Sequence, residues 1–237
     1  VIHVISDKES YSKVEECLPK FINTIGLKNP SPKTSRSDDE FAKMLLVKNE
    51  KFLPEMEIFT TSSQVGYSSS VMNASSLGTK ETVAEIVLAH WLSGTFLWDK
   101  IRTTGGAYGA SATVSSIAKC FTFSTYRDPN PLKSVDVFIE SLQEAAQVTL
   151  SNEECDKLIT GTYGEEFLPV SPATEGRIGL IRILASVSNE DQKDKLKNLL
   201  SVKPEDLKDA AERIFYNSSN IKTNVIGDKA LKKYEKN

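Results

Sequence analysis

The segment FLWDKIRTTGGAYGASAT, residues 96–113, decides how this chain folds. It opens with bulky apolar residues, passes Arg102, reaches the pair Gly105 and Gly106, and continues in small residues that carry one phenol, Tyr108. The apolar part predicts the end of a buried helix, and Gly105 is placed to end that helix in the left-handed conformation. From Tyr108 onward the small residues predict a strand. The segment therefore predicts a helix, a glycine turn and a strand in succession.

The remainder of the chain extends this pattern to an α+β fold. Hydrophobic periodicity predicts the following elements: strands at 1–6, 57–73 (one or two), 108–115, 120–126 and 221–227, and helices at 10–26, 82–102, from 131, 152–167, 173–186, 189–200 and 204–216. We expect an antiparallel sheet with helices packed on it. The polar, proline-bearing residues 27–39 predict an exposed loop, and residues 1–237 are expected to form a single domain.

Helix boundaries are marked by local signals. Thr82 with Glu85, and Ser151 with Glu154, have the spacing of capping boxes. The helix that starts at residue 131 has Asn130 as its predicted cap and a proline in its first turn. Pro19 is expected to kink or split the first helix.

Composition excludes several classes of protein. Of the 237 residues, 29 are basic and 32 acidic, for a net charge of −3, so the chain lacks the basic surface of a nucleic-acid binder. The longest apolar run, residues 84–98, is shorter than the roughly 20 residues that span a bilayer, so no membrane association is expected. Cys17, Cys120 and Cys155 are odd in number and far apart, so a disulfide framework is not expected. This cysteine usage favours a reducing compartment.

The sequence offers no zinc motif of its own. His3 and His90 are the only histidines, and neither H-E-x-x-H nor H-x-x-E-H occurs. His90 lies inside an apolar helix and is interpreted as a core or interhelical hydrogen-bonded histidine. Motifs for a serine nucleophile or a phosphate loop are also missing. We therefore expect no metal bound by this chain.

Arg102 and Tyr108 admit two interpretations. In the structural one, the arginine completes a helix end, where the dipole favours cations, and the tyrosine is an ordinary strand aromatic. In the functional one, the small residues Gly105, Gly106 and Ala107 leave the backbone near Tyr108 open to another chain or a substrate. The spacing alone does not choose between these interpretations.

A family resemblance favours the functional interpretation. The segment IRTTGGAYGA, followed by a strand and FSTYRDPNPL, resembles the C-terminal half of zinc metallopeptidases of the pitrilysin and insulinase type, in particular the presequence protease branch. The resemblance is strongest over residues 96–140 and extends more loosely over most of the chain. It implies that this chain is the last of four related α+β domains in a longer peptidase.

The resemblance also implies a division of labour. The zinc would be held by an N-terminal half that this chain does not contain, and the C-terminal half would close over a short unfolded peptide. Tyr108 and Arg102 would reach the zinc site as hydrogen-bond donors to the substrate carbonyl, and Gly105, Gly106 and Ala107 would lie against the substrate. The chain alone would then be inactive.

Two other interpretations also agree with the sequence. The same fold family contains noncatalytic partner or structural subunits, and a chain without zinc ligands fits that role too. An unrelated α+β domain is a third reading, and burial of both Arg102 and Tyr108 would support it. The compartment is left open between the cytoplasm and a mitochondrial or other organelle matrix, since no targeting segment is recognisable and the chain is expected to be soluble.

Overall fold

The computed structural model describes residues 3–26, 56–218, 221–228 and 231. The chain divides into two units, a smaller one of residues 1–53 and 170–184 and a larger one of residues 54–169 and 185–237. The loop expected at 27–39 lies outside the described residues. That residues 1–237 form a single domain of a longer chain stays a prediction.

The larger unit is built on a five-stranded sheet. Its strands are β1 (Met56–Thr61), β2 (Tyr67–Asn73), β3 (Gly109–Ser115), β4 (Cys120–Tyr126) and β5 (Lys222–Asp228), in the order β1-β5-β2-β4-β3. The predicted hairpin is confirmed, since β3 and β4 pair antiparallel with Ser115 opposite Cys120. The expectation of a wholly antiparallel sheet is wrong at one edge, because β1 and β5 run parallel. The fold is α+β with a mixed sheet.

Helices account for most of the remaining described residues. They are α1 (Lys8–Thr24), α2 (Lys80–Gly94), α3 (Pro131–Gln147), α4 (Asn152–Glu166), α5 (Pro172–Leu184), α6 (Asn189–Leu199) and α7 (Pro204–Asn217). A π-helical turn, Trp98–Thr103, follows α2. The predicted Ser151 capping box is present, with both of its reciprocal hydrogen bonds. Asn130 precedes α3 as predicted, although its side chain caps no amide of that helix.

One face of the sheet carries the core. Alternate residues of β2 and β4 are buried against α3 and α7, and Phe123 stacks on Phe138 of α3 with ring centroids 4.9 Å apart. Phe121, Phe123 and Phe138 have no exposed surface, and burying each stabilises the fold by about 1.5–3 kcal/mol. The opposite residues of each strand form the open face of the sheet. Neither α3 nor α7 covers this face, because their contacts fall on the alternate, buried residues.

Helix α2 is buried on two sides, as its apolar composition predicts. One side packs against β3 and α7, and the other joins a second core cluster with α4, α6 and the start of α7, formed by Val83, Val87, Cys155, Ile159, Leu199 and Leu207. The predicted Thr82 and Glu85 capping box is wrong. Thr79 caps the helix, and Glu85 is fully buried, where it accepts hydrogen bonds from Arg213 Nε at 2.9 Å and from the Ser75 amide at 2.9 Å.

The smaller unit contains α1 and α5. Helix α1 begins after Asp7, which accepts a hydrogen bond from the Ser10 amide, and continues through Pro19, so the predicted split does not occur. The strand predicted at 1–6 is also wrong for its described residues, 3–6, which form no ladder. Ile5 lies instead against Gly176 of α5, where a Cβ would approach its side chain to 2.5 Å. A strand needs a partner edge, and these residues pack on a helix.

Candidate functional site

The π-helical turn places Arg102 at the surface. Ile101 is 1% exposed and anchors the turn in the core, and Lys100 forms an ion pair with Glu144 of α3. Arg102 is exposed, and its guanidinium carbon lies 3.8 Å from the ring centroid of Trp98. Stacking on an aromatic face orients the guanidinium without using its hydrogen-bond donors. The arginine is therefore held in place with its donors available.

The glycine turn differs in detail from the sequence prediction. Helix α2 ends at Gly94, and the left-handed residue is Gly106, with φ of +80°, instead of Gly105. Gly105 is required for another reason, since a Cβ there would lie 2.5 Å from the carbonyl oxygen of Ile101. The first glycine permits close backbone packing and the second permits the reversal of the chain.

Backbone hydrogen bonds tie this turn together. The Gly106 amide donates to the Arg102 carbonyl at 3.1 Å, the Ala107 amide to the Ile101 carbonyl at 3.1 Å, and the Tyr108 amide to the Arg127 carbonyl at 3.4 Å. These three amides are thus already engaged. The exposed side chains of Arg102 and Tyr108 offer hydrogen-bond donors to another molecule instead.

The predicted substrate-binding positions are not equally accessible. Gly106 is exposed and Gly105 is half-buried, whereas Ala107 is 4% exposed and belongs to the core. Contact between these residues and a substrate stays a prediction. At Ala107 it would have to involve the backbone, because the methyl group faces inward.

A second segment, residues 128–134, braces the turn; its sequence predicts a helix start and carries part of the family resemblance, without indicating this bracing role. Asp128 is 1% exposed, and its carboxylate accepts hydrogen bonds from the Asn130 amide at 2.7 Å and from the Ser134 hydroxyl at 2.6 Å. The bond from Asp128 to the amide two residues on is an Asx turn, which the D-x-N spacing could have signalled. This turn directs the Asn130 side chain back, so that its Nδ2 donates to the Gly105 carbonyl at 3.3 Å. Asp128 and Asn130 are therefore positioning residues for the junction.

Tyr108 stands out from the sheet. It is 68% exposed, and its ring meets Tyr126 edge to face with centroids 5.8 Å apart. Tyr126 in turn meets Tyr67 at 5.6 Å. Within the described part of the chain, neither Tyr108 nor Arg102 forms a side-chain hydrogen bond or an ion pair. Burial of both side chains would have supported the interpretation as an unrelated domain, and their exposure gives it no such support.

The described residues do not fit a zinc site. Across the described ranges, no group of three or more His, Cys, Asp or Glu side chains could hold a metal ion. His90 makes the predicted interhelical contact, with Nδ1 3.0 Å from Oε1 of Glu165 on α4. None of the helices in the described ranges is both long and apolar enough to span a bilayer.

The fold is shared with peptidase domains of known structure. A peptidase M16 inactive domain from Pseudomonas fluorescens superposes with a TM-score of 0.58 and 13% sequence identity, covering 73% of this chain and 43% of that one. A protease from Helicobacter pylori superposes with a TM-score of 0.56 and 15% identity over the same shares. The chain thus has the α+β fold of these domains.

Sequence comparison defines the family more narrowly. The family model of the PreP C-terminal domain matches residues 56–227, and this chain belongs to that family. Presequence protease 1 of Arabidopsis thaliana, named as chloroplastic/mitochondrial, is 28% identical over 214 residues, which is 90% of this chain and 19% of the relative. The mitochondrial presequence protease of Schizosaccharomyces pombe is 29% identical over 92% of this chain and 21% of its own length. The chain spans about a fifth of these relatives, and the resemblance seen in the sequence is confirmed.

Proposed function

We propose that this chain is the C-terminal, substrate-binding part of a zinc metalloendopeptidase that degrades short unfolded peptides. The observation that carries the proposal is the junction itself. Two exposed side chains, Arg102 and Tyr108, flank a braced turn in a chain of the presequence protease family. Among the described residues neither side chain has a hydrogen-bond partner, and a purely structural junction has no need for two such exposed donors.

The chemistry assigned to the two residues is stabilisation of negative charge. When a peptide carbonyl is attacked, charge develops on its oxygen, and a preplaced donor stabilises that charge. Removing one such donor typically lowers the rate about a hundred- to a thousandfold. In this proposal Tyr108 donates its hydroxyl hydrogen to the carbonyl oxygen, and Arg102 binds the same carbonyl or orients Tyr108. A guanidinium and a phenol hydroxyl are both hydrogen-bond donors, as the developing negative charge requires.

The metal would come from elsewhere in the longer polypeptide. Zinc held by an N-terminal half would supply the activated water, and this chain would bind none, in keeping with its lack of a fitting ligand set among the described residues. That half and the unfolded peptide are the proposed partners, and no nucleic acid or membrane is assigned. The names of the relatives support a mitochondrial or other organelle matrix as the compartment.

The test is Tyr108→Phe in the complete polypeptide, with cleavage of a quenched fluorescent, unstructured peptide as the assay. We expect kcat to fall about a hundredfold or more, with the far-UV circular dichroism unchanged. Tyr163→Phe is the matched control, since Tyr163 on α4 is also partly exposed and loses the same hydroxyl. Near-normal turnover of Tyr108→Phe would remove the catalytic role.

Asn130→Ala tests how the turn is braced. This variant removes the hydrogen bond to the Gly105 carbonyl without touching either donor. We expect kcat to fall by about tenfold, because a displacement of about 1 Å at a reacting centre can cost up to a hundredfold. Asn130→Gln, which keeps the amide but moves it by one methylene, should retain more of the activity if the amide can still reach Gly105. Equal loss in both variants would argue for a role of Asn130 unrelated to this bond.

A noncatalytic partner or structural subunit is the second candidate. It is favoured by the similarity to domains described as inactive peptidase domains. The discriminating experiment mixes this chain with the separately expressed upstream part of its own gene product, in the presence of zinc. Cleavage only in the mixture would support the split active site. Association of the two parts without cleavage would support the noncatalytic module.

A further inference from the structure

The open face of the sheet carries most of its large apolar side chains at one level, with Val71 outside it. Each strand contributes one residue, or its immediate neighbour does. The set, called here the apolar row, is Phe59, Ile226, Tyr67, Tyr126 and Tyr108, with exposures of 51%, 40%, 36%, 52% and 68%. Single exposed apolar residues are ordinary, whereas a contiguous set across a whole sheet marks an interaction surface.

The pairing of the strands makes this row continuous. Phe59 lies opposite Ile226 in the parallel pair β1 and β5, and Ile226 lies opposite Tyr67 in the antiparallel pair β5 and β2. The ring contacts of Tyr126 with Tyr67 and with Tyr108 complete the series. Beyond the row the open face is mostly small and polar, with Ser69, Ser111, Thr113, Thr122, Ser124 and Asn224.

We propose that the apolar row is a subsite that binds apolar side chains of the peptide on one side of the cleaved bond. The inference rests on the proposed function, because Tyr108 is at once the end of the row and the proposed carbonyl donor. This continuity identifies the occupant, since a peptide held at Tyr108 and extended along the row would contact apolar and aromatic side chains in succession. Four strand spacings of about 4.8 Å give a length of about 19 Å, which accommodates about six residues of extended peptide.

The test uses the complete polypeptide and two unstructured peptides of equal length and charge. One peptide carries leucines within six residues of the cleaved bond, and the other carries serines at the same positions. Ile226→Thr and Phe59→Thr each remove an apolar group from the row and keep a residue suited to a strand. Val71→Thr is the matched control, because Val71 lies on the same face, is 36% exposed and is outside the row.

We expect Ile226→Thr and Phe59→Thr to raise KM for the leucine peptide about three- to tenfold, as loss of a partly buried apolar contact implies. Values of kcat, and KM for the serine peptide, should stay unchanged, and Val71→Thr should match the parent with both peptides. An unchanged KM for the leucine peptide, or an equal rise with both peptides, would overturn the proposal. So would a change in thermal midpoint or sedimentation without a change in KM, which would show the row covered by another part of the polypeptide or by a second copy.

The two proposals fail in different ways. Loss of kcat in Tyr108→Phe with an unaltered KM in Ile226→Thr would leave the catalytic role standing and remove the subsite. A selective rise of KM in Ile226→Thr with normal turnover in Tyr108→Phe would keep the subsite and remove the donor. The catalytic role is tested by kcat, and the subsite is tested by the ratio of the KM values for the two peptides. The two proposals can therefore be accepted or rejected independently.

Discussion

Replacing Gly106 by alanine separates the geometry of the turn from the stability of the fold. Gly106 has φ of +80°, a left-handed conformation that costs a residue with a Cβ about 1–2 kcal/mol. The added Cβ would lie 3.6 Å from Cγ of Pro129, which is an ordinary contact, so the cost is conformational and not steric. The alanine relieves this cost by shifting φ, and the shift moves Tyr108, two residues further along the chain.

Gly78 supplies the matched control. Its φ is +88°, and an added Cβ would meet nothing within 4 Å, so Gly78→Ala carries the same backbone cost in a loop before α2. Both variants should lower the free energy of unfolding by about 1–2 kcal/mol, measured by urea titration of the chain with circular dichroism. Only Gly106→Ala should also lower kcat of the complete polypeptide, by about tenfold or more.

The result that would refute this reasoning is a Gly106→Ala variant with the stability loss of Gly78→Ala and the kcat and KM of the parent. The turn would then tolerate a change of φ without moving the donors. If instead both variants lost activity equally, the loss would follow from stability, and the junction would have no special role. A larger stability loss is expected for Gly105→Ala, because its Cβ would lie 2.5 Å from a backbone oxygen that cannot easily move.

Three further predictions concern the scaffold. Glu85→Gln removes the charge of a fully buried carboxylate that binds an arginine and should lower the free energy of unfolding by about 1–3 kcal/mol, measured by urea titration; an unchanged midpoint would contradict this. Burial raises the pKa of the Cys155 thiol, so iodoacetamide should alkylate it about tenfold or more slowly than the exposed Cys17, as peptide mapping would show. The Ser151 hydroxyl lowers the pKa of the Glu154 carboxyl, and this contribution to stability is present above the ordinary pKa and is lost as pH falls through the folded value. Ser151→Ala should therefore be less stable at pH 7, with the gap narrowing in acid.

Local signals in the sequence located most elements correctly. The boundaries of α4, α6 and α7 fall within two residues of prediction because their caps, such as Ser151 and Ser188, act on amides only three residues away. The hairpin of β3 and β4 was predicted for the same reason, since alternation and turn residues are local features, whereas for residues 57–73 the prediction of one or two strands left the number open and the structure has two. The segment of 96–140 also sufficed to identify the family.

The predictions that were wrong or missing concern residues whose partners are distant in the sequence. Glu85 has the spacing of a cap, yet it is buried because Arg213, 128 residues further on, supplies a charged donor. Residues 3–6 have the composition of a strand but lie on a helix, because a strand forms only where an edge is available. The role of Asn130 was missed since its acceptor, the Gly105 carbonyl, lies 25 residues away.

The sequence by itself predicted most element types and the family, because these depend on residues that are neighbours in the chain. The resemblance to that family is also what singled out Arg102 and Tyr108, whose role stays a prediction. Only the tertiary structure decided which glycine takes the left-handed conformation, how the RDPN segment braces the turn, and that Tyr108, next to β3, joins one apolar residue from each of the other four strands in a single row. Sheet order brings β1 and β5 together across more than 160 residues, and strand register then sets which side chains share a level. Neither the strand order nor the register can be read from a short stretch of the chain, because both depend on pairing between distant strands.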